Sequence, residues 1–114
     1  MPAGYLDSYL KHEGVLAALV VRDGTVLEEA GSPGADTGML AVTLTLLMKE
    51  SARIAGKGDR SRVSSVVLEF GDRLLLVQAE KDNQFLVVIT TPGISLTRLH
   101  RELGITQEKE GPGA

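Results

Sequence analysis

Three stretches of this chain are apolar at every position: residues 15–21 (VLAALVV), 74–77 (LLLV) and 85–89 (FLVVI). Each is short and bounded by turn-forming residues, so each reads as a strand rather than a helix. Successive side chains of a strand point to opposite faces, so an unbroken apolar run is oily on both. A half-solvated antiparallel strand alternates instead. These three strands therefore require cover on both faces. They must lie at the centre of a sheet with helices above and below.

The remaining signals place the neighbours. Asp23-Gly24 is a hairpin turn leading to a strand over residues 25–30. Gly71-Asp72 joins strands over 63–70 and 73–79, and residues 80–83 (EKDN) lead into a strand over 84–90. Glu28-Glu29 in the second strand, and Ser64, Ser65 and Glu69 in the third, suit edges. Keeping every hairpin and centring the two-sided strands gives the order 2-1-5-4-3. Helices are expected over residues 2–12, 37–55 and 95–103. Tyr5, Leu6, Tyr9 and Leu10 form the apolar stripe of the first. Asp36 or Thr37 caps the second, which stops at Gly56, and Ser95 caps the third. The element order α-β-β-α-β-β-β-α makes a three-layer α/β/α architecture of the mixed α/β (α+β) class, profilin-like in outline. The middle helix should cover one face and the terminal helices the other. Residues 1–106 form one domain. Residues 107–114 (QEKEGPGA) have too little apolar content to pack and read as a flexible tail.

The middle helix has more apolar surface than one sheet can cover. Leu40, Leu44, Leu47 and Ile54 form one stripe, expected to face the sheet. Met39, Val42 and Leu46 form a second, about 120° away at 3.6 residues per turn. Ala41, Met48 and Ala52 add a third, weaker strip. A helix on its own sheet buries a stripe of only about 100°. Each large apolar side chain left in water forgoes about 1.5–3 kcal/mol of burial. A second copy of the same helix, meeting it across a two-fold axis, would cover the excess. The third strand makes a parallel point. Its sequence VSSVVLEF has no Pro or Lys to blunt an open edge, and pairing with its symmetry mate would close it. The residues expected at this dimer and partner-binding surface are Met39, Val42, Thr43, Leu46, Glu50, Ser64, Val66 and Leu68.

Taken in order, the opening hairpin (residues 15–31), the long middle helix (36–56), the hairpin series (63–92) and the closing helix SLTRLHREL resemble the roadblock/LC7 (dynein light chain) family, in its bacterial, MglB-like branch. The resemblance covers about residues 5–103 and rests on order and spacing. It implies a homodimer, or higher oligomer, serving as a platform for a Ras-like small GTPase and in some members as its activator. It transfers no catalytic residue. A cytoplasmic location is expected instead from the absent Cys, the absence of a membrane-length apolar run and an N-terminus unlike a signal peptide.

Composition and motifs exclude other classes. There is no Cys, which removes disulfides, thiolate metal sites and Cys nucleophiles. A net charge of −3, no Trp and only 4% aromatics argue against nucleic acid as partner. No apolar run is long enough for membrane insertion. Gly56-Lys57-Gly58-Asp59-Arg60-Ser61 follows a helix rather than a strand and lacks the phosphate-loop pattern. Its Lys57, Arg60 and Arg62 read as a solvated connector. His12 and His100 each lack a second ligand at helical spacing. Ser95 sits in no nucleophile elbow. Glu28 and Glu29 are adjacent on a strand and cannot share a proton. No catalytic residue, cofactor or metal is expected, and the chain reads as a non-enzymatic interaction module. A second reading is a small PAS-like sensory domain holding an apolar ligand between sheet and helix.

Overall fold

The computed structural model describes residues 6–56, 64–93 and 101. Its elements are a short 3-10 helix (Leu6–Lys11), β1 (Val15–Arg22), β2 (Thr25–Gly31), α1 (Thr37–Ala55), β3 (Ser65–Glu69), β4 (Leu74–Ala79) and β5 (Gln84–Thr90). The five strands form one antiparallel sheet in the order β2-β1-β5-β4-β3. This is the order expected from the two-sided apolar strands. Ala17–Val21, Leu74–Val77 and Leu86–Ile89 are buried at every position.

Two apolar clusters sandwich the sheet. Ala17, Leu19, Val21, Leu75, Val77, Val87 and Ile89 meet Ala41, Leu44 and Met48 of α1. On the opposite face Ala18, Val20, Leu76, Leu86 and Val88 meet Leu6 of the 3-10 helix. Cross-strand partners carry the alternation from strand to strand: Leu19 stands opposite Val87, and Val20 opposite Leu86. The type of turn follows the sequence. Asp23 (φ 49°) and Gly24 (φ 78°) turn β1 into β2, and Asp82 (φ 60°) and Asn83 (φ 61°) turn β4 into β5. Asp and Asn tolerate this left-handed region because their side chains bond locally.

Three details differ from the sequence expectation. The first helix is a 3-10 segment beginning at Leu6, and residues 2–5 lie outside the described residues. β3 is shorter than expected, with Ser64 just before it and Phe70 just after. Leu27 is an extra residue in β2: the β1–β2 register slips between Val20 and Val21, where Glu28 and Val26 are the successive partners. The closing helix falls outside the described residues except for Arg101, which is helical. The expected tail, residues 107–114, also lies outside them.

Candidate functional site

α1 begins where Asp36 accepts a hydrogen bond from the Met39 amide at 3.1 Å, satisfying one orphan donor of the first turn. Its rotation over the sheet is set by small and polar residues. Ala41 is fully buried and lets the helix backbone approach the strands closely. Thr45 is also buried, and its Oγ1 accepts the Gly24 amide at 3.0 Å, tying α1 to the β1–β2 turn. The sheet-facing side is thus Ala41, Leu44, Thr45 and Met48, with Leu40 and Leu47 half-buried at its border. Ile54, expected on this side, is instead 89% exposed. Periodicity fixes relative angles around a helix but not its rotation. The Thr45 bond and the small Ala41 turn the buried face by about 95° from the Leu40–Ile54 stripe at 100° per residue.

The rotation gathers the outward residues on one arc. Met39 (64% exposed), Val42 (47%), Leu46 (57%) and Ile54 face water. Thr43, Glu50 and Arg53 are exposed on the same arc. Glu50 and Arg53 pair within the helix at 3.2 Å. Both are largely solvated, so this pair contributes little to stability. Of the residues expected at an interface, Met39, Val42, Thr43, Leu46 and Glu50 therefore stand together on one exposed surface.

The other three lie at the sheet's edge. Val66 and Leu68 are half-buried and pack against the same core cluster as Leu40 and Leu47, so they share the α1 side of the sheet. Ser64 is exposed, and its carbonyl accepts the Ala79 amide at 2.8 Å. At the other end the Phe70 amide donates to the Arg73 carbonyl at 2.8 Å. These two bonds fix the phase of the ladder. Val66 and Leu68, paired with Val77 and Leu75, turn their backbone groups toward β4. Ser65, Val67 and Glu69 turn theirs outward. Val67 is 42% exposed and Phe70 50%. Phe70 shares the parity of Val66 and Leu68 and extends their apolar row. Sequence reading missed Phe70 and Ile54; only the register and the helix rotation reveal them.

Other candidates resolve plainly. Glu28 stands opposite Val20 and Glu29 opposite Leu19, on different faces of the sheet. Among the described residues no group of three or more His, Asp or Glu side chains could hold a metal ion, and no helix is long and apolar enough to cross a membrane. His100 and residues 57–62 lie outside the described residues. Ala41, Leu44 and Met48 fill the space between α1 and the sheet. Beside them is an open cleft of about 890 Å³, lined by apolar Met48, Ala52 and Phe85 and by charged Asp23, Lys49, Lys81 and Asp82. Its exposed, mixed-charge walls are unlike the enclosed apolar pocket that a buried sensory ligand needs.

No family model matches the sequence, and no curated protein does. Solved structures do match. A roadblock/LC7 domain from Streptomyces avermitilis aligns with 92% of this chain and 91% of its own, at TM-score 0.71 and 21% identity. The fold is that of a roadblock/LC7 domain. Two further roadblock-type neighbours carry the MglB name. An MglB described with a tetrameric arrangement aligns at TM-score 0.74 and 20% identity, over 96% of this chain and 88% of its own. The gliding protein MglB of Thermus thermophilus aligns at TM-score 0.73 and 20% identity, with the same coverage. α1 and the inward-turned Val66 and Leu68 of β3 lie on the same face of the sheet.

Proposed function

We propose that this protein is a non-enzymatic, homodimeric interaction module that binds and regulates a Ras-like small GTPase in the cytoplasm. The carrying observation is the outward arc of α1: three large apolar side chains, Met39, Val42 and Leu46, exposed on a helix whose opposite side already fills the core. Water-facing apolar surface of this kind marks an interface. The arc is also self-complementary. Leu46 lies at its midpoint between Met39 and Ile54, so an antiparallel copy sets Met39 against the partner's Ile54 with Leu46 near the axis. The β3 edge supports the same two-fold arrangement, because its outward backbone groups are centred on Val67. Ser64, Val66 and Leu68 would then border the joined edge, with Thr43 and Glu50 at the helix contact. The likeness of the fold to MglB structures supports a GTPase as the second partner.

Light scattering tests the dimer. The wild-type chain should run at about twice its monomer mass, and Leu46→Glu should halve it, because a carboxylate buried without a partner is costly. An unchanged mass for the variant would overturn the helix contact. For the GTPase, the immobilised protein is presented with Ras-like GTPases from its own genome, loaded with GTP or GDP. Retention of one nucleotide state over the other is expected. Indifference to all of them removes the regulatory reading while leaving the dimer standing.

A further inference from the structure

Arg73 joins two parts of the molecule that the sheet order keeps apart. It ends the turn after β3, and its Nη1 donates to the carbonyls of Pro33 (3.0 Å) and Gly34 (3.2 Å), in the connection that leads into α1. Its Nη2 and Nε donate to the two carboxylate oxygens of Asp72, at 3.0 and 3.4 Å. The hydrogen bond from Arg73 holds the Asp72 carboxyl below its ordinary range and raises the guanidinium in turn. Although Asp72 is open to water, the Arg73 side chain is only 23% exposed. The loop is shaped to receive it: Gly34 has φ +68°, and a Cβ there would stand 3.5 Å from Nη1. Two residues later Asp36 caps α1.

The other polar ties of α1 to the sheet run to the far half. Thr45 holds the Gly24 amide at 3.0 Å, and the Thr37 hydroxyl reaches Glu29 at 3.4 Å. Both partners belong to the β1–β2 hairpin. Among the described residues, Arg73 is the side chain whose hydrogen bonds link the β3–β4 hairpin to the chain feeding α1.

We propose that Arg73 is a positioning residue for self-association, setting the outward arc of α1 relative to the β3 edge so that both parts are correctly spaced before two copies meet. The proposal rests on the homodimer reading above. A partner that must engage a helix and a strand edge at once binds weakly if those elements first have to be ordered, because that entropy is charged to association. Arginine suits the role because its planar fork serves two carbonyls and a carboxylate together, which a lysine ammonium on a flexible stem does not reproduce.

The test is Arg73→Gln and Arg73→Lys, each in the wild-type and Leu46→Glu backgrounds. Sedimentation velocity across a dilution series gives the dimer dissociation constant, and hydrogen exchange follows the amides of residues 32–36. Both variants should raise the dissociation constant about tenfold, the scale of ordering one rotamer-rich contact on binding. Exchange at 35–36 should quicken in the monomeric background. The melting temperature of Leu46→Glu should change by only about 2–3 °C when Arg73 is replaced. A dissociation constant within about twofold of wild type sinks the proposal while the dimer stands. A much larger loss of melting temperature in the monomeric background also overturns it, by showing a purely structural role. A wild-type chain that stays monomeric throughout overturns the homodimer reading itself, and this proposal with it.

Discussion

The two edges of this sheet are built by opposite rules. The β2 edge carries an extra residue at Leu27, a register slip beside Val20 and Val21, and two adjacent glutamates. A bulge and charge are devices that keep other strands from adding to an edge. The β3 edge has neither device at its centre. Its pairing with β4 runs without a slip from Ser65 to Glu69, through Val66, Val67 and Leu68. One sheet thus has a closed edge and an open one, and the open edge lies on the half of the molecule that Arg73 ties to α1.

The contrast can be broken most directly at Val67. Its amide points away from β4, so Val67→Pro removes a donor that the β3–β4 ladder does not use, and edge strands tolerate proline there. Light scattering should show the mass fall by half while the far-ultraviolet circular dichroism keeps its shape. On the β2 edge, Glu29→Lys should leave the mass unchanged. Cross-linking sharpens the register. The chain has no native cysteine, so a single Val67→Cys variant gives an unambiguous readout. Two-fold pairing at Val67 sets the two Cα atoms about 5.5 Å apart, within disulfide range. Oxidation should convert most of that variant to a covalent dimer on non-reducing gels. Ser65→Cys and Glu69→Cys should cross-link only when mixed; a dimer formed by either alone would move the axis. The smallest effect belongs to the α1 tie. Thr45→Val keeps the shape but strands the Gly24 amide, which should lower unfolding free energy by about 1–3 kcal/mol in urea titrations.

Much of the fold was legible because it follows from local chemistry. Strands apolar on both faces had to be central, and Asp23-Gly24 and the EKDN turn named the hairpins, whose left-handed dihedrals confirm them. What was not legible depends on distance or phase. The spacing of α1 gave the stripes but not which one faces the sheet; Thr45 and Ala41 decide that, and they moved Ile54 from the core to the surface. The bulge at Leu27 has no sequence signature. Phe70 joins the apolar row only through the β3–β4 register. Arg73 looks like any turn residue until its bonds to Pro33 and Gly34, 40 and 39 positions away, are seen.

The two sides of α1 answer to different demands. Leu44 and Met48 are fixed by the need to fold, whereas Met39, Val42 and Leu46 face outward and the core does not depend on them. On the proposed interface, changes among those three would alter the company the molecule keeps without endangering its architecture. A fold divided in this way lets recognition drift and diversify on a scaffold that stays put.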